Sequence, residues 1–282
     1  MKKNKLNMVC ASALISAGLF LSGCTKPADP VVTPGAASTP GGVASVAQAA
    51  TPVARDHVIV GVDIHSTPMA FWDPKTGIAV GYDIDMAKEG LKRAGLKYEF
   101  KPIDWGKKDK NLLEEKSIDL IWSSFTITDE RRKIFAFSDP YIQNKQAILV
   151  RADSGIQKKS DLGGKTMAVN KGSIGEELVK QLKGAEAPAK IEEFVDRLDV
   201  FSAVLNGQAD AAVTDSVVMN YYAKNSPGKF RVLNDSLQEE EFAVAVRPTD
   251  TELLEKINKA LAEMQADGTA QTIYQRWFGE SK

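Results

Sequence analysis

Short strand-like runs alternate with helix-periodic segments from residue 57 to residue 279, and this alternation restricts the fold more than any other feature of the chain. His57–Asp63 alternates apolar and polar residues with the period of a strand. Leu120–Phe125 is a nearly unbroken apolar run, the pattern of a strand covered on both faces. Tyr98–Ile103, Ala147–Arg151, Thr166–Asn170, Ala211–Thr214 and Phe242–Arg247 read as further strands. Between them, Gly81-Tyr82-Asp83 opens a helix whose apolar residues Ile84, Ala87, Leu91 and Ala94 share a face, and Gly95 stops it. Asp129 is placed to cap a short helix. Gly172-Ser173 leads a helix through Leu182, and Leu198–Leu205 forms another that stops near Gly207. Leu253, Leu254, Ile257, Leu261 and Met264 make one stripe on a helix ended by Gly268, and Thr269–Trp277 is closed by Gly279. Strand–helix alternation predicts an α/β protein with mostly parallel sheets. In such sheets ligands sit at the carboxyl ends of the strands.

The N-terminal segment has a different character. Lys2, Lys3 and Lys5 precede an apolar run from Met8 to Leu21, too short for a membrane span and suited to a secretory signal. The run ends in Leu21-Ser22-Gly23-Cys24, which resembles the lipobox of bacterial lipoproteins. The expectation is a signal peptide over 1–23, a lipidated Cys24 anchoring the chain to a membrane, and a tether over 24–54. Residues 25–54 hold five Pro, eight Ala and no aromatic side chain, so they cannot bury enough surface to offset their chain entropy.

Composition narrows the function classes. The chain carries 36 Lys+Arg against 37 Asp+Glu, a net charge of −1, so it lacks the cationic surplus that phosphate backbones demand and no nucleic-acid partner is expected. Cys10 and Cys24, the two cysteines, both precede the body, which excludes a cysteine-based metal site there. His57 and His65 are the two histidines, too few for a histidine-rich zinc centre or a credible Ser/His/Asp triad. Gly164-Lys165-Thr166 has the end of a phosphate loop, but Lys159 stands where the loop requires glycine. No cofactor and no catalytic residue are expected.

What stands out is a set of polar residues at the ends of buried strands. Asp63 follows the first strand. Ser123, Ser124 and Thr126 end the Leu120 strand, and Arg131 lies one helical turn beyond. Ser173 sits at a helix start, where unpaired N–H groups attract anions. Asp215 ends the Ala211 strand. Together they offer a guanidinium for a carboxylate, an acid for an ammonium and hydroxyls for both. This is the complement of a free α-amino acid.

Longer stretches carry a family resemblance. They include Pro68-Met69-Ala70-Phe71-Trp72-Asp73, Val80-Gly81-Tyr82-Asp83-Ile84-Asp85, Ile118-Asp119-Leu120-Ile121-Trp122-Ser123-Ser124-Phe125-Thr126 through Arg131, and Phe137-Ser138-Asp139-Pro140-Tyr141. Asn206-Gly207-Gln208-Ala209-Asp210-Ala211 and Arg276-Trp277-Phe278-Gly279 follow in the same order. The body resembles the periplasmic solute-binding proteins of polar amino-acid ABC importers, family 3 type. The resemblance implies a type II periplasmic-binding-protein fold: two α/β lobes, 55–143 plus 240–282 and 144–239, joined by a two-strand hinge and open without ligand. It implies that Arg131 holds the ligand α-carboxylate, helped by Thr126 and the N–H of Ser173. Asp215 would hold the ammonium with Ser124, Trp105 would stack on the side chain, and Asp63 would reach its distal end. Ser66 and Ile174 stand at site positions where relatives often carry an aromatic residue and a threonine. The implied ligand is glutamine or a basic amino acid, with cystine as a further candidate, and the implied partner is an ABC permease, met by a monomer. A cyclohexadienyl-dehydratase-like enzyme on the same fold and an amino-acid sensor domain are the alternatives. Retention of Asp215, and a chain that ends at Lys282 without a span, argue for the transport protein.

Overall fold

The computed structural model describes residues 56–279. The signal-peptide, Cys24 and tether expectations lie outside the described residues. In chain order the main elements are β1 (His57–Val62), β2 (His65–Ser66), β3 (Ala70–Trp72), β4 (Ala79–Val80), α1 (Tyr82–Arg93), β5 (Lys97–Pro102) and β6 (Leu120–Thr126). Then come α2 (Asp129–Arg132), β7 (Ala136–Phe137), β8 (Ile142–Arg151), β9 (Thr166–Asn170), α3 (Ile174–Gln181) and β10 (Lys190–Phe194). The body closes with α4 (Arg197–Leu205), β11 (Ala211–Asp215), α5 (Ser216–Asn225), β12 (Phe230–Val246), α6 (Thr251–Ala266) and α7 (Thr269–Phe278).

The main sheet runs β10-β9-β11-β8-β12-β6-β1-β5, with β7 paired to β12. Pairing is parallel on both flanks, β5-β1-β6 and β10-β9-β11. It is antiparallel around β8 and β12, the two long strands that cross between the flanks. This is the two-lobed arrangement with a two-strand hinge. The register of β12 on β8 slips twice, between Val232 and Ser236 and between Ser236 and Gln238.

Alternate residues of the flank strands feed cores on opposite faces. In β6, Leu120 and Trp122 enter the largest cluster while Ile121 and Phe125 enter a second around Phe135. In β9, Ala168 enters the first and Met167 and Val169 a third with Val179 of α3. Coverage on both faces is why these strands read as continuous apolar runs.

The sequence reading needs three corrections. The cap of α2 is Thr128, whose Oγ1 accepts from the Arg131 N–H, and Asp129 is the first helical residue. Besides the short strands β2, β3, β4 and β7, two elements went unread, β10 (KIEEF) and α5 (SVVMNYYAKN). The hinge strands are longer than read: β8 begins at Ile142 and β12 at Phe230.

Candidate functional site

The ten residues nominated from the sequence line one chamber between the lobes, joined there by Gln146, Asn170 and Arg197. The chamber encloses about 20 Å³, and the cleft widens outside it into a mouth of about 690 Å³ that shares Asp63, Trp105 and Asn170. Every parallel flank strand except the edge strands β5 and β10 ends in the chamber, so the walls are strand carboxyl ends.

A bulge aims the β6 hydroxyls. Ala243 pairs with Phe125 and Ala245 with Ile121, so extra β6 residues, including Ser123 and Ser124, bow out of the ladder. Ser124 adopts a left-handed φ of 48°, rare for a residue with a side chain. Its Oγ donates to Asp83 Oδ2 at 2.8 Å, and its N–H donates to the Tyr141 hydroxyl. That hydroxyl in turn donates to Asp83 Oδ1 at 2.8 Å. Asp83 is fully buried, and burial pushes its carboxyl up to about 6 against the pull of the two hydroxyls. The Ser124 proton is therefore spent on Asp83, and Ser124 works as a wall of the chamber rather than as a free donor.

Ser123 Oγ accepts from the Asp63 N–H at 3.0 Å and so ties β1 to the bulge. Asp63 both caps a turn and lines the cleft: Oδ1 accepts from the His65 N–H and Oδ2 from Ser66 Oγ. The Ser66 hydroxyl thus serves Asp63.

Arg131 lies on α2 with its guanidinium 4.6 Å from the centre of the Phe125 ring, a cation–π contact. Nη1 donates to the Thr126 carbonyl oxygen at 2.8 Å. No carboxylate stands within 4 Å of it among the described residues, and burial pulls its pKa down. A poorly solvated guanidinium without a counter-ion is a strong carboxylate site.

Ser173 caps α3, its Oγ accepting from the Glu176 N–H. Its own N–H donates to the Asn170 carbonyl oxygen, so the expectation that this N–H serves a ligand carboxylate does not hold in this arrangement. The first-turn N–H groups of Ile174 and Gly175 remain in the positions where helices bind anions. Gly175 permits close seating of this helix, since a Cβ there would stand 2.8 Å from Gln146 Oε1 and 3.0 Å from the Val213 carbonyl oxygen. Ile174 supplies an apolar wall.

Asp215 leaves β11 with its carboxylate in the chamber and makes no cap bond to α5. Oδ1 accepts from Gln146 Nε2 at 2.7 Å and from Asn144 Nδ2 at 3.1 Å. Both amides also donate to Glu240 Oε1. Glu240 is pushed up to about 8, first by burial and then by the negative charge of Asp215. Asp215 Oδ2 lies 2.5 Å from Arg197 Nη1 in a buried ion pair. Trp105, on a short turn capped by Asp104, sets its ring edge-on to Phe125 and donates its indole N–H to the Gly172 carbonyl oxygen of the facing lobe. His65 and Asp196 approach to 3.5 Å across the same cleft.

Arg197 escaped the sequence reading because it sits among charged residues at a helix start, where arginine is usually solvated. A physical signal was present, since a cation in the first turn opposes the helix dipole and calls for an anionic partner. Gln146 and Asn144 escaped because the strand was begun at Ala147. Asn170 ends a predicted strand just as Asp63 does. Its amide ties β9 to the carbonyl oxygens of Phe194 and Val195.

A two-lobed α/β body with a charged, hydroxyl-walled chamber at the hinge defines a solute-binding protein. The chain belongs to the bacterial extracellular solute-binding proteins, family 3, whose model matches residues 58–280. It is 35% identical over 204 residues to the arginine-binding extracellular protein ArtP of Bacillus subtilis (strain 168), covering 72% of this chain and 79% of that one. It is 31% identical over 232 residues to the ABC transporter glutamine-binding protein GlnH of the same organism, covering 80% and 82%. A solved ancestral arginine-binding protein bound to glutamine superposes with a TM-score of 0.71 at 39% identity, over 80% of this chain and 99% of that one. These relatives are amino-acid-binding proteins, and the amino acids they are named for differ.

Proposed function

We propose that this protein captures a polar amino acid between lobes 55–143 plus 240–282 and 144–239 and delivers it to an ABC permease. The ligand set is glutamine, a basic amino acid or cystine. Arg131 takes the α-carboxylate and Asp215 the ammonium, while Asp63 and Trp105 face the side chain. Thr126, Ser123, Ser124, Ser66, Ser173 and Ile174 form the walls. The observation that carries this reading is the convergence of Arg131, without a carboxylate partner, and Asp215, turned away from its helix, on one chamber. The hinge strands let the lobes part to admit ligand, and ligand contacts to both favour closure. Retention of Asp215 favours a binding protein over a dehydratase on this fold. Lipid on Cys24 anchors the monomer outside the cytoplasm, with 24–54 as spacer.

A thermal-shift screen of the twenty amino acids and cystine tests the ligand reading. A true ligand at a hundredfold its Kd adds about 2.7 kcal/mol to stability. No shift with any of them would reject amino-acid capture. Detergent partitioning after metabolic lipid labelling of wild type and Cys24→Ser tests the anchor, and equal labelling would reject it.

A further inference from the structure

Arg197 is the first residue of α4, with 7% of its surface exposed. Its Nε and Nη1 are buried and make no aligned hydrogen bond among the described residues. Burial pulls its pKa down, but Asp215 and then Asp63 outweigh that and leave it raised, so it is a cation in the chamber. The ion pair with Asp215 lies within one lobe, β11 to α4, so opening the cleft does not break it.

Two consequences follow for any occupant. Asp215 already accepts from two amides and faces a guanidinium, so once it has met the α-ammonium that every amino acid carries, little of its charge is left for a second ligand cation. Arg131 and Arg197 both line the chamber, and one ligand α-carboxylate can answer Arg131. A second donor cluster, Arg197 beside the positive start of α4, then calls for a second oxygen acceptor.

We propose that Arg197 is a specificity-determining residue that selects amino acids carrying a second oxygen acceptor, a carboxylate or an amide carbonyl, and rejects those whose side chain ends only in a cation. This deepens the amino-acid-binding reading and rests on it. Within the ligand set it favours glutamine and cystine, adds glutamate, and disfavours arginine and lysine.

The test is calorimetric titration of the purified full chain with glutamine, glutamate, cystine, arginine and lysine, on wild type, Arg197→Gln and Arg197→Lys. Wild type is expected to bind at least one acceptor-bearing ligand about tenfold or more tighter than arginine and lysine, the scale of one charged hydrogen bond. Arg197→Gln should lose that advantage, and arginine and lysine should gain relative to the acceptor-bearing ligands because the cation that repels their side chains is gone. Arg197→Lys, which keeps the charge without the fork, should fall between. Glutamine against glutamate tells amide from carboxylate. Tighter binding of arginine or lysine by wild type overturns the proposal, and that arm holds even if a variant fails to fold. Equal weakening of every ligand in Arg197→Gln also overturns it, because Arg197 would then only support Asp215. Binding of no amino acid by wild type is a different result: it rejects the reading beneath the proposal, and the proposal with it.

Discussion

Trp105 donates its indole N–H across the cleft to the carbonyl oxygen of Gly172, 3.2 Å away. The bond exists only when the lobes meet, so it contributes to closure and not to the folding of either lobe. Trp105→Phe keeps an aromatic ring against Phe125 and removes the donor. Ligand affinity should fall by about 0.5–1.5 kcal/mol, the net value of one such bond, with no change in the ligand-free melting temperature. Calorimetric titration beside a melting scan checks both halves.

Arg131→Ala should abolish ligand binding. Leaving a desolvated carboxylate unpaired costs about 2–5 kcal/mol. The guanidinium reaches the Thr126 carbonyl oxygen and the Phe125 face but no carboxylate, so the lobe loses little else. Circular dichroism should show an unchanged fold, while titration with the best wild-type ligand gives no measurable heat.

Glu240 makes stability depend on pH. Its folded pKa of about 8 lies above the unfolded value of 4.5. The folded protein therefore keeps this proton where the unfolded chain has lost it. The contribution is fully present below about pH 4.5 and is lost as pH rises through 8, at up to about 1.4 kcal/mol per pH unit between them. Glu240→Gln keeps an oxygen acceptor and cannot ionise. Its melting temperature should decline less than that of wild type between pH 6 and pH 9, and parallel declines would refute the assignment.

Gly81 precedes α1 at a φ of 140°, and a Cβ there would overlap the backbone carbonyl of Met69. Because the neighbour is backbone, it cannot swing aside. Gly81→Ala should destabilise the body by about 1–3 kcal/mol through strain alone. A shifted urea midpoint with an unchanged slope would record it.

Most strands that the sequence revealed have cores on both faces, and the edge strand β5 was legible from its alternating Tyr98 and Phe100. Leu120–Thr126 and Thr166–Asn170 carry an apolar residue at nearly every inward position, and both were readable to within a residue. Lys190–Phe194 was not, because it is an edge strand whose lysine and glutamates meet water. Residues 230–241 of β12 were hidden for a different reason: the strand is interior, but Asn234, Asp235 and Glu239 through Glu241 give it no apolar pattern. Its register slips also break any period. At the site, strand ends announced Asp63 and Asp215. What the sequence concealed was who else reaches them. Arg197 pairs with an acid 18 positions away, and Asn144 and Gln146 project from the part of a hinge strand that precedes its apolar run.

The crossing strands have one more consequence. β8 and β12 are interior strands, each with a neighbour on both sides, so no free edge separates the lobes. If the lobe holding β9, β10 and β11 came apart, β8 would lose a partner and the survivor would expose unpaired backbone. Partial melting is therefore penalised from either end. Although the protein looks like two domains, it should denature as a single cooperative unit, with one calorimetric transition whose van't Hoff and measured enthalpies agree.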